Sequence, residues 1–354
     1  MLMSDIGEKA FVAQLLSKLK PDDRLINGFG HDSAMLDVSV GEFERLLFKV
    51  DRAAQPIATR KGWVDNSMWG RLAVTSTCSD ILASGGIPSA FMLAVILPGS
   101  FEVEEAGRLI FGAAQECADH EVIFAGGDTK EGPFAEVVGT ALGKASVRGL
   151  LTRNGALPGD YLVLGGRLGG YLGSYLQLLA SEEERGTPNR EWLHYVSHPR
   201  AQWEAGKSMS SAGIAIAGMD CSDGLFDALS TLSGEYGCLI DEAALPIHRF
   251  AVECSQKLGY AELSLSLGVG DWNIVYVVPD GRGGALKELL KNTEAPLRII
   301  GTVGSADGKG VSVRGTDGHL RRLRPNVNEH FVSRQEDEGE FLDRFRSSPY
   351  LNDD

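Results

Sequence analysis

The chain has 354 residues, 43% hydrophobic and 23% charged, enough for two ordinary domains with a sizeable buried core. Its formal net charge of −14 argues against a nucleic-acid partner, because phosphate-backbone binding relies on clustered Lys and Arg. No apolar run reaches the length of a membrane span. Met1-Leu2-Met3-Ser4-Asp5 lacks the basic start and apolar stretch of a secretory signal, and Cys78, Cys117, Cys221, Cys238 and Cys254 form no CxxC pair, so reduced thiols in a cytoplasmic protein are expected.

Taken in chain order, Ile6–Leu19 has apolar residues at helical spacing, and Pro21-Asp22-Asp23 stops it. Strand-like runs follow at Leu46–Val50, Ala90–Leu97 and Val137–Leu142, separated by helix-like stretches at Ser67–Ser84 and Glu102–His120. That alternation predicts an α/β domain over residues 1–150. A second domain, 151–332, opens with the turn-rich Thr152–Asp160 segment. It continues with strand-like Tyr161–Leu164, a helix to Ala180, a short run at Ile214–Ala217, helix-like Leu225–Glu235 and strand-like Trp272–Val278. Residues 333–354 read as a loosely held acidic tail.

The glycine-rich stretches fit no common nucleotide loop. Gly165–Gly170 has the wrong spacing for GxGxxG, and Gly206-Lys207-Ser208 is preceded by Ala201 where a Walker A loop needs its first glycine. Gly308-Lys309 fails on the same ground. Aspartates carry the stronger pattern. Asp32, Asp51, Asp80, Asp128 and the Asp220–Asp223 pair each follow an apolar run beside Gly, Ser, Thr or Val. Each alone could cap a helix or close a turn. Together they suggest carboxylates converging at strand ends, where hard cations such as Mg²⁺ take oxygen ligands and share them with phosphates. An acidic protein that binds a polyanionic nucleotide needs such cations to screen the repulsion.

In order and spacing, Gly28–Ala34, Ser79–Pro88, Gly126-Gly127-Asp128-Thr129, Thr152–Asp160, Asp220–Leu225 and Gly268–Trp272 resemble the thiamine-monophosphate kinase family. That family belongs to the aminoimidazole ribonucleotide (AIR) synthetase superfamily. The resemblance implies two α/β (α+β) domains and a homodimer in which the N-terminal sheets of two subunits pair. It implies ATP between the domains and Mg²⁺ bridging its phosphates to Asp32, Asp51, Asp80, Asp128 and Asp223, with Asp32 and Asp223 catalytic. Gly126, Gly127, Asp128, Thr129, Arg153 and Ser222 would contact the nucleotide, Arg153 through its phosphates.

Departures gather on the acceptor side. His31 replaces the first of the family's paired aspartates, and Val50 and Arg52 flank Asp51 where threonines are usual. Ala58 falls near the position of a substrate-loop histidine, and Gly270–Ile274 replaces a Gly-Glu-Asp-Tyr-Glu-Leu stretch. Arg52, Arg60 and Lys61 would suit an anionic acceptor, with Asp271 and Trp272 as further substrate candidates. Three readings stand: a kinase for a small acceptor other than thiamine monophosphate, an ATP-dependent ligase or dehydratase that activates an amide or carbonyl oxygen, or a nucleotide-binding protein without catalysis. The absence of a C-terminal cysteine speaks against hydrogenase-maturation dehydratases, and the absence of any cysteine before Cys78 speaks against selenophosphate synthetases.

Overall fold

A computed structural model describes residues 26, 31–41, 44–184, 187–304, 310–325 and 338–351. The helix expected at Ile6–Leu19, Gly28–Gly30 and Gly308-Lys309 lie outside the described residues. The first half builds a sheet from β1 (Ala34–Gly41), β2 (Glu44–Ala53), β3 (Ile87–Leu97), β4 (Ile123–Glu131) and β5 (Glu136–Ser146), in the order β1-β2-β5-β3-β4. Its pairs are antiparallel except β3–β4. Between β2 and β3 the chain forms α1 (Ile57–Arg60) and α2 (Ser67–Ala83). The crossover that a parallel β3–β4 pair requires is α3 (Val103–Asp119).

The second half builds a seven-stranded sheet, in the order β12-β11-β8-β10-β6-β9-β7. The strands are β6 (Tyr161–Gly165), β7 (Ala217–Asp220), β8 (Cys238–Asp241), β9 (Ile274–Val278), β10 (Leu297–Val303), β11 (Val311–Arg314) and β12 (Leu320–Arg322). Around them run α4 (Gly170–Glu183), α5 (Arg190–Ser197), α6 (Trp203–Ala212), α7 (Leu225–Ser233), α8 (Arg249–Leu258), α9 (Glu262–Ser266), α10 (Gly283–Asn292) and α11 (Glu338–Arg346). All of β9, Ile274-Val275-Tyr276-Val277-Val278, is buried, so an unbroken apolar run stands where a half-exposed strand would alternate.

Helix α2 holds the two halves together. From Met68 to Ala83 only Arg71 and Leu72 escape full burial, because β2, β3 and β5 cover one side and β7, β9 and α6 cover another. A helix enclosed this way cannot show an amphipathic stripe, and its small residues Ala73, Thr75, Ser76, Thr77 and Ser79 allow close approach. Val74, Ile81 and Leu82 share one apolar core with Trp203, Ile274 and Tyr276. The second sheet comes close at Gly218 of β7, where an added Cβ would lie 2.3 Å from the Ala83 carbonyl oxygen.

Three expectations shift. The second-half strand expected at Ile214–Ala217 runs instead over Ala217–Asp220, which makes Asp220 its last residue. Gly126-Gly127, expected to contact the nucleotide, forms the interior of β4. There Gly126 (φ +94°) sits at a register shift, and a Cβ on Gly127 would meet the Leu93 carbonyl oxygen at 1.7 Å. In the C-terminal segment, α11 buries Phe345 and its Arg346 donates to the Tyr260 hydroxyl at 3.0 Å, so residues 338–351 are docked where a loose tail was expected.

Gly218→Ala should push β7 off α2 and lower stability by about 1–3 kcal/mol in urea unfolding, the usual penalty of overpacking. Gly281→Ala, with no atom within 4 Å of its added Cβ, should leave the midpoint nearly unchanged.

Candidate active site

Three carboxylates from distant parts of the chain meet inside the protein. Asp32 precedes β1, Asp80 sits in the last turn of α2 and Asp220 ends β7; one oxygen of each lies within 4.8 Å of the others. They are buried to 3%, 6% and 1% exposure, respectively. Like charges this close in a poorly solvated site repel strongly, so they persist only where cations or protons compensate.

The chain itself supplies two cations. Arg153 grips Asp32 with two parallel bonds, Nε to Oδ2 at 3.0 Å and Nη2 to Oδ1 at 2.6 Å. Burial works against the Arg153 charge, but the hydrogen bonds and charge of Asp32 outweigh it and hold the guanidinium firmly protonated. Lys49 reaches in from β2, its Nζ 2.9 Å from Asp80 Oδ2. Burial also opposes the Lys49 charge, and Asp80, Asp51 and Asp32 overcome it, so its pKa rises. Desolvation and the nearby Asp220 nonetheless push the Asp80 carboxyl well above the usual range, with Lys49 pulling the other way.

Asp220 has no such partner. Its Oδ1 accepts a hydrogen bond from Ser222 Oγ at 2.8 Å, while Oδ2 is buried with no hydrogen bond of good geometry, the Ser79 hydroxyl standing near enough only to lower the carboxyl's pKa in part. Desolvation first, then the Asp32 charge, pushes its pKa up to about 6. A buried carboxylate oxygen left unpaired beside two other carboxylates is the chemistry of a hard-cation site, and Asp32, Asp80 and Asp220 fit Mg²⁺.

The expected ligands divide accordingly. Asp32 and Asp80 converge, although Asp80 is helical and not at a strand end. Asp51 faces inward from β2 on the same side as Lys49, near enough to act on its charge. Asp128 departs from the expected set: it stands on β4 with its side chain 63% exposed, 3.6 Å from Lys130, and its neighbour Thr129 is exposed too. Asp223 lies three residues beyond the strand end, half-buried, and is outside the converging group. Strand β7 ends on Asp220 itself, so Asp220 and not Asp223 stands at the strand end.

The remaining candidates sort by geometry. Ser222 serves Asp220 through its hydroxyl. His31 Nδ1 accepts the Arg153 backbone N–H at 3.2 Å, which fixes the segment that carries Asp32 and leaves that nitrogen no lone pair for a metal. Arg52 is exposed and, by strand alternation, projects from the face opposite Asp51. Lys61 lies 4.0 Å from Glu182 and over the Trp63 ring, with Trp63 Nε1 also bonded to Glu182. Asp271 caps α4, accepting from Gly169 N (2.7 Å), Gly170 N (3.1 Å), Tyr171 N (2.8 Å) and Tyr195 Oη (3.2 Å), so its carboxylate is fully occupied. The helix terminus that could have cradled a phosphate is thereby filled. Trp272 is half-buried at φ +51°, a strained conformation for so large a residue. Gly206-Lys207-Ser208 is part of α6, with no phosphate loop.

Sequence reasoning missed Asp220 as a ligand and Lys49 altogether. Both left a signal. Asp220 directly follows Ala217-Gly218-Met219, and Lys49 occupies the inward-facing register of β2 between Leu47 and Asp51, where a charge demands a partner.

Comparison with known proteins agrees with this architecture. Residues 30–145 match the family model for the AIR synthase related protein, N-terminal domain. The thiamine-monophosphate kinase of Pyrococcus horikoshii is 29% identical over 251 residues, 70% of this chain and 74% of that protein. Residues 30–145 therefore carry an AIR synthase-related N-terminal domain, and over most of its length the chain is similar to thiamine-monophosphate kinases. The solved structure described as AaThiL complexed with AMPPCP and TMP has the same fold, with a TM-score of 0.75 at 24% identity over 93% of this chain and 99% of that one. The hydrogenase maturation protein HypE in complex with ATP shares it too, with a TM-score of 0.64 at 20% identity over 94% of this chain and 100% of that one. No helix among the described residues is long and apolar enough to cross a membrane.

Asp220 makes the cluster's stability depend on pH. Its pKa is raised from 3.8 to about 6, so its favourable contribution is complete below about pH 4 and lost as pH rises through 6. The full swing is about 3 kcal/mol. Mg²⁺ should therefore raise the melting temperature more at pH 7.5 than at pH 5, measured against EDTA at each pH. Asp220→Asn should flatten that difference.

Proposed function

We propose that the protein is a Mg²⁺-dependent kinase that transfers the γ-phosphoryl group of ATP to a small-molecule acceptor. The observation that carries this reading is the unpaired Asp220 Oδ2 beside Asp32 and Asp80, with Arg153 at the rim. The thiamine-monophosphate kinases among its relatives and the AMPPCP bound in a structure of the same fold support it. Phosphoryl transfer needs little covalent chemistry from the protein; positioning and neutralisation of developing charge carry most of it. A bound divalent ion would supply that neutralisation. Asp32, Asp80 and Asp220 would hold it, and Arg153, with Nε and Nη2 on Asp32, keeps Nη1 for a phosphate oxygen. Asp51 extends the acidic wall along β2. A phosphate acceptor is nucleophilic without a strong general base, and none is built beside the cluster among the described residues.

The acceptor is the finer part of the proposal. The relatives are thiamine-monophosphate kinases, which points to thiamine monophosphate. Local chemistry motivates a different acceptor: the Gln55–Lys61 segment forms α1 with Ala58 buried, Lys61 turns to Glu182, and Asp271 is consumed by the α4 terminus. Phosphorus NMR of the protein with ATP, Mg²⁺ and thiamine monophosphate tests both levels. With thiamine monophosphate as the sole acceptor we expect no thiamine diphosphate, and with other small anionic acceptors supplied in its place, ADP plus the phosphorylated acceptor; robust thiamine diphosphate formation would restore the relatives' acceptor. Asp220→Asn should cut any turnover by about 100-fold or more, the scale of losing one transition-state charge partner.

We further propose a cytoplasmic homodimer, with a domain boundary near residue 150 between β5 and β6. Among the described residues the five thiols are buried and free, as a reducing compartment allows. The face of the first sheet away from α2 is apolar and open: Phe48, Val50 and Met92 are exposed, with Val50 and Met92 flanking Thr140 in one cross-strand row. Such a patch suits a second copy. Val50→Lys should shift the protein to monomer in sedimentation without lowering its melting temperature by more than a few degrees; an unchanged dimer would move the interface elsewhere.

A further inference from the structure

We propose that the Lys49 ammonium occupies a cation position on Asp80 that a divalent ion would otherwise hold, so this chain takes one fewer metal ion than its carboxylates alone would bind. The inference rests on the metal-site reading above and adds to it. Three buried carboxylates offer up to three negative charges, and two protein cations already stand on them: Arg153 on Asp32 and Lys49 on Asp80. Arg153 is a planar fork that takes up two oxygens edge-on and leaves the far side of Asp32 open. Lys49 is a compact point charge, closer in size to a metal ion, placed 2.9 Å from Asp80 Oδ2.

The position of Asp80 explains why a permanent cation is useful there. Its carboxylate lies in the last turn of α2, at the negative end of the helix dipole, where a carboxylate is disfavoured even without neighbours. It is also buried beside Asp220 and Asp32. Between nucleotide-binding events a metal can leave, and a covalently tethered ammonium cannot. Lys49 therefore holds the end of α2 in register with β2 in the metal-free protein. Its strand neighbours confirm the register: Leu47 and Lys49 both face α2, and Leu47 packs at Gly86, just beyond the helix end.

Manganese is a suitable probe, because all-oxygen sites accept Mn²⁺ in place of Mg²⁺ and free Mn²⁺ is counted directly by electron paramagnetic resonance. The full-length protein is titrated with Mn²⁺ in the presence of saturating AMPPCP, alongside Lys49→Met, Lys49→Gln and Lys49→Arg. Near-UV circular dichroism checks that each is folded, and the Gln variant retains a hydrogen bond to Asp80 should Met prove too unstable. The expected result is about one additional Mn²⁺ per chain in Lys49→Met and Lys49→Gln, and the wild-type count in Lys49→Arg. Equal counts and affinities in all four proteins overturn the role of Lys49 while leaving the metal site intact. No Mn²⁺ bound by the wild type overturns the metal-site reading itself, and the proposal with it.

Discussion

Three carboxylates within 4.8 Å of one another, away from water, set the constraint that the rest of this molecule answers. In such a site each negative charge raises the cost of the next, and ionisation survives only beside a positive charge. The chain provides Arg153 for Asp32 and Lys49 for Asp80. Asp220 is left with one oxygen bonded to Ser222 and the other unpaired. The imbalance is local: it makes the pocket a receptor for a cation and, through the cation, for the phosphates that accompany it.

Bringing these residues together takes most of the fold. The first carboxylate comes from the approach to β1, the second from a helix enclosed between two sheets, and the third from the edge strand of the second sheet. Helix α2 is the common reference. It must pack tightly enough against β7 for Asp80 and Asp220 to face each other, and Gly218 permits that contact by omitting a Cβ that would strike Ala83. His31 plays a comparable role from the other side, since its bond to the Arg153 backbone ties the Asp32 segment to the start of the second half. The site and the join between the two halves are therefore one structure, and a change that loosens either loosens both.

Much of this was legible in the sequence. Apolar patterning placed α2 and α3 to within a residue of their ends and caught the middles of β2, β3 and β5, which run several residues further, and Asp32, Asp51 and Asp80 stood out by context. What escaped did so for physical reasons. Gly126 and Gly127 stand out in the sequence only as nucleotide contacts; their structural role, which is to let a bulged strand press against Leu93, depends on a pairing that the local sequence does not show. Asp271 looked like a substrate residue, yet it satisfies the open N–H groups of α4, a job visible only once the two segments, about a hundred residues apart, are adjacent. Asp220 and Asp223 could not be ranked without knowing where β7 ends. The outward face of Arg52 follows from strand alternation and was readable in principle.

The central claim is that the unpaired charge at Asp220 makes nucleotide binding depend on a divalent ion. Calorimetric titration of AMPPCP into the protein, with Mg²⁺ and then with EDTA, tests it most directly. The account predicts saturable binding in Mg²⁺ and a loss of affinity of about 100-fold or more in EDTA, when phosphates must approach bare carboxylates. Equal affinity in the two buffers would contradict it.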